Sequence, residues 1–298
     1  MRNHPMASAA STIREWPTPY RCGRIGPMAI GGRRDVGRVF NEVPELYDRA
    51  RPSYPAALFA DLVAVTGIDE KSSVLEVGCG TGQATRPLAG LGCRVTAVEP
   101  GEGLAELARQ RLADTSNVAI ETSTFEAWVA RDRRFDVLVA ASSWHWIDPS
   151  VGWRRAHDVL RPDGWLALLG HVVVREPGEA EVYAETADLH ERFAPGNPDW
   201  GHPPLAEGVR GNSQGWGPPN EDREGLFGAT VVGWYPMVQR FDGAGFADLL
   251  RTLSPYRRLD HAVREPLLEA IAERIRTHLG DQASRRYFGV LRVGRRLD

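Results

Sequence analysis

The sequence predicts an α/β fold: a doubly wound, Rossmann-like and mostly parallel sheet of seven strands with helices on both faces. Three observations predict it. Short apolar runs alternate with helical segments between residues 67 and 174, and strands separated by helices form parallel sheets through right-handed crossovers. The runs are continuously apolar, as expected of strands covered on both faces. A glycine-rich turn joins the first strand to the helix that follows it.

The length of 298 residues and a hydrophobic content of 42% are typical of one large globular domain. Residues 1–34 are acid-poor and lack an apolar targeting core, so they are predicted to be a disordered leader. Residues 35–298 are predicted to form a single domain. Its parts are an N-terminal helical cap (35–66), a core (67–174), a variable lid or insertion after the fifth strand (175–230), and C-terminal strands and helices that complete the sheet (231–298).

The cap begins with "VGRVFNEVPELYDRA" (36–50), which has helical character broken around Pro44. The next segment, "RPSYPAALFADLVAVTG" (51–67), begins with prolines and ends in Gly67. Proline at the start of a helix and glycine at its end are the usual boundary residues. This part is therefore predicted to contain two helices.

The core contains five apolar runs and three amphipathic segments in alternation. The predicted strands are "SSVLEVG" (72–78), "CRVTAVE" (93–99), "NVAIET" (117–122), "FDVLVAAS" (135–142) and "WLALLGHVVV" (165–174). The predicted helices are "QATRPLAGLG" (83–92), "GLAELARQRLA" (103–113) and "PSVGWRRAHDVL" (149–160), followed by a turn at "RPDG" (161–164).

The sequence becomes irregular after Val174, with many prolines, glycines and tryptophans around one predicted helix (179–193). An insertion at the carboxyl end of the fifth strand lies where doubly wound sheets bind ligands. Trp200, Trp216 and Trp234 would suit an aromatic-lined lid over a flat or apolar molecule. A hydrophobic cluster that holds an irregular loop together explains them equally well. The last predicted elements are a strand (229–241), two helices (243–253 and 263–280) and a strand (285–296).

Composition excludes several classes of function. The net charge of -3 gives no reason to expect a nucleic-acid partner, and no apolar stretch approaches the length of a membrane span. Cys22, Cys79 and Cys93 lack metal-site or CxxC spacing, which favours a reducing, cytoplasmic location over a disulfide scaffold. Histidines, aspartates and cysteines do not cluster with metal-ligand spacing, so no metal is predicted.

The stretch "VLEVGCGTGQAT" (74–85) carries the strongest functional signal. Gly78, Gly80 and Gly82 follow a strand and precede a helix. Glycines let a ligand lie against the backbone, and amides at the helix start can donate to it. Glu99 ends the next strand, where an acid accepts hydrogen bonds from a ribose diol. The loop, the helix and the acid together predict a nucleoside-containing ligand.

The spacing distinguishes two ligand classes. Dinucleotide enzymes show G-x-G-x-x-G, whereas this chain has Gln83 and Ala84 after Gly82. Glu76, two residues before the first glycine, suits an ammonium group and opposes a diphosphate. The run "LEVGCGTG" resembles motif I of the class I S-adenosylmethionine-dependent methyltransferases, and the resemblance extends over roughly residues 40–170.

The resemblance implies a set of positions around S-adenosylmethionine. It implies that the glycine loop holds the methionine part of the cofactor, that Glu99 binds the ribose, that Pro100 and Leu104 flank the adenosine, and that "STFEAW" borders the adenine. Thr124 in that segment stands where the family commonly has Asp, which weakens any claim of a side-chain bond to the adenine amine. The implied cofactor positions in core and loop are Glu76, Gly78, Cys79, Gly80, Thr81, Glu99, Pro100, Leu104, Thr124, Phe125 and Ser142.

The segment "YDRARPSYP" (47–55) resembles the cap of the small-molecule branch of that family, which includes trans-aconitate and ubiquinone/menaquinone-pathway methyltransferases. The resemblance implies that Tyr47 closes over the site and that Arg51 reaches the cofactor carboxylate, which suits the bidentate guanidinium. The alternative is that Tyr47 packs in the core and that Arg51 caps a helix or pairs with Asp48.

The stretch "SSWHWID" (142–148) follows the fourth strand, where the family places the transferring methyl group. His145 is a candidate general base because imidazole titrates near neutral pH. The alternative is a packed histidine, with Trp146 in the core and Asp148 capping the next helix. His171, after the fifth strand, is a second candidate.

The resemblance thus implies an enzyme that transfers a methyl group from S-adenosylmethionine to a small-molecule acceptor. The favoured acceptor atom is oxygen, followed by nitrogen or carbon. Two other classes stay open. One is a module that binds the cofactor or a nucleoside without catalysis, and the other is an NAD-dependent oxidoreductase.

Overall fold

The computed structural model describes residues 44–178, 182–196, 203–210 and 225–298. Its centre is a seven-stranded sheet in the order β3-β2-β1-β4-β5-β7-β6. The strands are β1 (Ser73–Val77), β2 (Arg94–Glu99), β3 (Val118–Thr122), β4 (Phe135–Ala141), β5 (Leu160–Val174), β6 (Phe227–Phe241) and β7 (Ala283–Arg296). Strands β1 to β5 are parallel, whereas β7 runs antiparallel to both of its neighbours. The predicted fold class is confirmed.

Helices precede, connect and follow these strands. They are α1 (Pro44–Ala50), α2 (Ala56–Thr66), α3 (Thr85–Gly90), α4 (Glu102–Arg111), α5 (Pro149–Val159), α6 (Val182–Glu185), α7 (Ala187–Phe193), α8 (Ala206–Arg210), α9 (Gly243–Arg251), α10 (Ser254–Arg257) and α11 (His261–His278). A 3₁₀ turn (Trp144–Trp146) follows β4. Gly67 adopts the left-handed conformation at the end of α2, as its position in the sequence predicts.

The continuously apolar strands are explained by two hydrophobic layers. Neighbouring residues of a strand point to opposite faces, and both Val74 and Leu75 in β1 are fully buried. Val74 packs with Leu58 of α2 on one face, and Leu75 packs with Trp153 of α5 on the other. Burying a side chain of this size stabilises the fold by about 1.5–3 kcal/mol, so the sheet needs helices on both sides.

A third cluster joins the cap to the C-terminal helices. One buried cluster contains Ala50 at the end of α1, Phe246 and Leu250 of α9, and Leu267 and Ile271 of α11. Asp242 caps α9 by accepting a hydrogen bond from the amide of Gly245 at 2.7 Å. The cap and the C-terminal helices therefore form one packed body.

Three local predictions differ from the structure. The turn predicted at residues 161–164 lies within β5, which runs from Leu160 to Val174. The helix predicted over 179–193 is two helices, α6 and α7, separated at Thr186, whose hydroxyl bonds back to the carbonyl of Val182 at 2.7 Å. Such back-bonding disturbs helices. Helix α10 was not predicted. The proposed leader (1–34) and the first cap segment before Pro44 lie outside the described residues.

Within the described ranges, none of the helices has the length and apolar character needed to cross a membrane.

Candidate functional site

A cavity of about 500 Å³ lies at the carboxyl ends of the parallel strands. Parallel sheets of this type place their ligand sites at this edge. The cavity is lined by all the residues that the sequence singled out for the site: Tyr47, Arg51, Glu76, Gly78, Cys79, Gly80, Thr81, Glu99, Pro100, Leu104, Thr124, Phe125, Ser142 and His145, together with His171. The structure thus brings these side chains around one space, while their individual roles remain predictions.

The three glycines of the loop have left-handed backbone angles, with φ of 70° at Gly78, 57° at Gly80 and 88° at Gly82. A Cβ on Gly78 would lie 2.4 Å from the Cβ of Ser143, so this glycine lets the segment after β4 approach the loop. A Cβ on Gly80 would meet no described atom within 4 Å. Gly80 therefore leaves the cavity wall open at the point where a ligand can lie against the backbone.

Glu99 is buried at the end of β2 and organises the loop. Its Oε2 accepts a hydrogen bond from the amide of Gly80 and its Oε1 from the amide of Gly101, both at 2.8 Å. Burial raises the pKa of Glu99, and the two amide bonds oppose that rise. Each carboxylate oxygen has a further lone pair, so the residue can hold the loop and also accept from a ligand hydroxyl.

Glu76 lies on β1 beside the loop and is fully buried. Neither of its carboxyl oxygens has a hydrogen-bond partner among the described residues. Burial raises the pKa of Glu76 to about 8, and the nearby Glu99 adds to the rise while Thr85 opposes it. A buried acid without a partner is costly. A cationic or hydrogen-bond-donating ligand group in the cavity would relieve that cost. The two carboxyl oxygens of Glu76 therefore fit an ammonium group.

Asp48 of α1 ties the cap to the glycine loop. Its Oδ1 accepts a hydrogen bond from the hydroxyl of Thr81 at 2.6 Å, and its carboxylate also forms an ion pair with Arg111. The backbone carbonyl of Asp48 accepts from Nε2 of Gln83 at 3.1 Å. The sequence suggested Asp48 only as a partner of Arg51. It did not indicate the contacts of Asp48 with Thr81 and Arg111, because both residues are distant from Asp48 in sequence.

Arg51 contacts both the cap and the C-terminal helices. Its guanidinium lies 4.9 Å from the centre of the Tyr47 ring, within the range of a cation–π contact. Its Nη2 donates to the carbonyl of Thr252, the C-cap residue of α9, at 2.7 Å. The helix-capping alternative is therefore present in this structure, and Arg51 and Tyr47 still line the cavity.

Ser142 has a φ of 55°, which is unusual for a residue with a side chain and is typical of strained functional positions. Its hydroxyl lies 2.7 Å from the hydroxyl of Tyr54. Tyr54 in turn stacks on His171, with ring centres 4.4 Å apart. The sequence pointed to Tyr47 and missed Tyr54, although both lie in the quoted cap segment.

His171 is largely enclosed between aromatic rings. Its Nε2 lies 3.3 Å from the carbonyl oxygen of Ser53, so the proton is expected on Nε2. Burial lowers the pKa of His171 to about 4. The imidazole is therefore neutral at pH 7 and is a weak base.

The 3₁₀ turn after β4 places its three residues differently. Trp144 is buried and meets Trp153 of α5 edge to face, with ring centres 4.8 Å apart. His145 is exposed at the cavity wall, with its ring 4.6 Å from that of Trp146. The alternative that put Trp146 in the core is wrong, because the turn directs Trp144 there. Asp148 caps α5 as predicted, accepting from the amide of Ser150 at 2.9 Å.

The wall near α4 is apolar. Phe125 and Leu104 are both buried and line the cavity. The hydroxyl of Thr124 accepts a hydrogen bond from the amide of Ala127 at 3.2 Å, which closes a local turn. This part of the wall therefore offers two apolar side chains next to Thr124.

The C-terminal part contributes wall residues that the sequence did not identify, among them Leu249, Leu253, Arg285 and Tyr287. No described residue of 175–230 lines the cavity. Trp234 packs against Phe288 with ring centres 5.8 Å apart, in a cluster with Val174. The cluster interpretation therefore holds for Trp234, and Trp200 and Trp216 lie outside the described residues.

The part of the chain that the structure describes contains no group of three or more His, Cys, Asp or Glu side chains that could hold a metal ion.

Comparison with known proteins identifies the central segment. Residues 75–168 match the family described as a methyltransferase domain. An uncharacterized methyltransferase of Mycobacterium tuberculosis is 34% identical over 153 residues, which is 49% of this chain and 60% of that protein. A ubiquinone biosynthesis O-methyltransferase of Ruegeria pomeroyi is 30% identical over 131 residues, 43% of this chain and 52% of that protein.

Solved structures agree on the fold. A structure from Anaeromyxobacter dehalogenans assigned as a type II methyltransferase superposes with a TM-score of 0.57 at 26% identity, covering 82% of this chain and 97% of that one. A second structure is a phosphoethanolamine N-methyltransferase of Haemonchus contortus in complex with phosphomonomethylethanolamine and S-adenosylhomocysteine. It superposes with a TM-score of 0.50 at 12% identity, covering 91% of this chain and 61% of that one.

Residues 75–168 are therefore a methyltransferase domain, and the resemblance to the class I S-adenosylmethionine-dependent methyltransferases is confirmed. The chain spans 60% or less of the length of the curated relatives described above.

Proposed function

We propose that this chain transfers the methyl group of S-adenosylmethionine to a small-molecule acceptor. The favoured acceptor atom is oxygen, and nitrogen or carbon is the alternative. The observation that carries the proposal is the buried Glu76, whose two carboxyl oxygens have no partner among the described residues although they face a cavity. An amino-acid ammonium group is the complement that this carboxyl needs. The methyltransferase domain assigned to residues 75–168 supports the same cofactor.

The cofactor would lie along the carboxyl edge of β1 and β2. Glu76 would bind its ammonium group, Arg51 its carboxylate and Glu99 its ribose hydroxyls. The open face at Gly80 leaves room for the ligand against the loop. The part of the cavity beside Leu104 and Phe125 would hold the adenine, since both side chains are buried and apolar.

When bound, the cofactor supplies a sulfonium-linked methyl group. The acceptor would take this methyl group with its lone pair, S-adenosylhomocysteine would be the leaving group, and an acceptor that carries a proton would release it to a protein base or to water. The protein's task is alignment and exclusion of water, which can account for up to about 7–11 kcal/mol of the barrier. Ser142 would define the floor of the transfer site, with Tyr54 holding its hydroxyl at 2.7 Å.

His145 is the proposed general base. It is solvent-exposed at the cavity wall, so a proton can leave to water after it is removed from the acceptor. His171 is less suitable, since burial lowers its pKa to about 4. Burial raises the pKa of Tyr54 above its usual range, so its hydroxyl stays protonated.

The two other classes make different demands on the site. A nicotinamide enzyme would bring a diphosphate to the loop, where an ionised Glu76 would oppose its charge. A binding module without catalysis would show the same cofactor affinity and no turnover. The described cysteines, Cys79 and Cys93, are free and buried, which is compatible with the proposed cytoplasmic location.

The experiment is incubation of the purified full-length chain with S-adenosylmethionine and a panel of phenols, carboxylic acids and amines. Mass spectrometry would follow S-adenosylhomocysteine and the methylated product. We expect acceptor-dependent release of S-adenosylhomocysteine, lost in Glu76→Gln and retained in Glu70→Gln, which changes an exposed acid outside the cavity. Binding of S-adenosylmethionine without turnover on any acceptor would favour the non-catalytic module.

A further inference from the structure

The proposed methyl-transfer site extends along the sheet to an arginine that the cofactor does not require. Arg285, near the start of β7, lines the same cavity as Glu76 and Ser142. Because β7 is antiparallel, its first residues lie at the carboxyl edge of the parallel strands, and Arg286 is paired with Val174 at the end of β5. The cavity therefore continues past β5 to β7.

The surroundings of Arg285 leave its charge without a counterion. Its Nε is buried and has no hydrogen-bond partner among the described residues, and none of the described carboxylates forms an ion pair with it. Its partner across β6 is the neutral Gln239. Its guanidinium lies 5.5 Å from the ring centres of both Tyr183 and Tyr287. Arginine remains charged in proteins, so this cation is surrounded by tyrosines and a neutral glutamine, with no carboxylate among the described residues paired with it.

Tyr287 adds a hydrogen-bonding group at the same place. It lies two residues from Arg285 on the same face of β7, lines the cavity, and is buried. Its hydroxyl has no partner among the described residues. Burial raises the pKa of Tyr287, so the hydroxyl is protonated and can donate. A guanidinium without a carboxylate partner, beside a phenol hydroxyl, forms a site for an anion.

The position of Arg285 separates this anion site from the cofactor. β7 lies three strands from β1 and four from β2 in the sheet order, which is about 14 Å and about 19 Å at the usual strand spacing. It lies two strands, or about 10 Å, from β4, where Ser142 would face the methyl group. Tyr54, which contacts Ser142, and His171, whose ring centre lies 6.0 Å from that of Tyr287, line the intervening wall.

We propose that Arg285 and the hydroxyl of Tyr287 bind a carboxylate group of the methyl acceptor, whose nucleophilic atom lies toward Ser142. The inference rests on the proposed methyl-transfer function and names the acceptor class, a carboxylate-bearing molecule with a flat or aromatic body. A carboxylate matches the planar, bidentate fork of arginine, and the aromatic wall suits a ring.

Calorimetry on the full-length chain tests this in two steps. The first titration is with S-adenosylhomocysteine. The second adds benzoate, or the neutral isostere benzamide, or inorganic phosphate, to the S-adenosylhomocysteine-loaded protein. We expect benzoate to bind at least about tenfold more tightly than benzamide, because only benzoate gains charge-assisted bonds. Equal affinity for the two, or tighter binding of phosphate than of benzoate, would overturn the carboxylate assignment.

Variants separate the two ends of the cavity. Arg285→Gln should abolish the preference for benzoate and leave the affinity for S-adenosylhomocysteine within about twofold, and Arg285→Lys should restore part of the preference. Arg286→Gln is the matched control, since Arg286 is adjacent in sequence and does not line the cavity. A comparable loss of S-adenosylhomocysteine affinity in Arg285→Gln would assign Arg285 to the cofactor and refute the inference. Failure of the wild type to bind S-adenosylhomocysteine would instead refute the proposed function on which it rests.

Discussion

The hydroxyl of Thr81 in the glycine loop donates a 2.6 Å hydrogen bond to the carboxylate of Asp48 in α1, 33 residues earlier in the chain. Asp48 also forms an ion pair with Arg111, which follows the loop on α4. The cap, the loop and the helix beyond β2 are thereby joined at one carboxylate. Cofactor binding and cap position should therefore be coupled.

Replacing Asp48 tests this coupling. Asp48→Ala should weaken binding of S-adenosylhomocysteine by about tenfold or more, since charge-assisted hydrogen bonds contribute about 1.5–3 kcal/mol. The measurement is calorimetry at constant pH. Arg49→Ala is the control on the same helix, because its ion pair with Asp248 is exposed and long at 3.5 Å. Equal affinities in wild type and Asp48→Ala would show that the cap does not support the loop.

Glu76 gives a pH dependence of stability with a defined sign. Its pKa is raised from 4.5 to about 8 in the folded protein, so the folded state binds more protons than the unfolded state between those values. The contribution of Glu76 to the free energy of unfolding therefore falls as pH rises from about 4.5 through about 8. The free energy of unfolding of Glu76→Gln should change less with pH in this range, and at pH 9 the variant should be more stable than wild type. Urea denaturation without ligand measures both.

The same variant should bind the cofactor poorly. Because an ammonium group requires the ionised carboxylate, wild-type affinity for S-adenosylhomocysteine should rise between pH 6 and pH 8, near the raised pKa of Glu76. Glu76→Gln should lose about tenfold or more in affinity and show no such rise. The control Glu70→Gln should reproduce the wild-type profile. Undiminished affinity in Glu76→Gln would remove Glu76 from the site.

Glu99 is predicted to bind the ribose while holding the amides of Gly80 and Gly101. Glu99→Ala should weaken S-adenosylhomocysteine binding by an order of magnitude or more, at about 1.5–3 kcal/mol for the lost charge-assisted bonds. Glu99→Gln keeps one acceptor oxygen for an amide and should keep more of the thermal stability than Glu99→Ala. Unchanged affinity in both variants would exclude the ribose role.

His145 can be tested once an acceptor is known. If it removes the acceptor's proton, His145→Ala should lower kcat by about 10²–10⁴-fold. Binding of S-adenosylhomocysteine should stay unchanged, which separates catalysis from cofactor affinity. Full turnover by His145→Ala with an identified acceptor would rule out the base role.

The parts of the site that the sequence predicts are local. The strand, the glycine loop and helix α3 are consecutive in the chain, so spacing alone places Glu76 and Gly80 beside each other. The position of Glu99 near this loop is also predictable, because neighbouring parallel strands end at the same edge of the sheet. These positions depend on backbone geometry rather than on distant packing.

The missed residues depend on packing between distant segments. Arg285 and Tyr287 reach the cavity only because β7 inserts antiparallel beside β5, which no local pattern indicates. Tyr54 lies in a quoted segment, but its selection over other tyrosines depends on its contact with Ser142, 88 residues later. Trp144 is buried in place of Trp146 because a 3₁₀ turn sets which ring points inward.

Comparative calorimetry of the full-length chain with S-adenosylmethionine and with NADH tests the central claim most directly. We predict saturable binding of S-adenosylmethionine that is weakened by Glu76→Gln, and no binding of NADH. Tight binding of NADH without any response to S-adenosylmethionine would contradict the assignment of this cavity to a methyl donor.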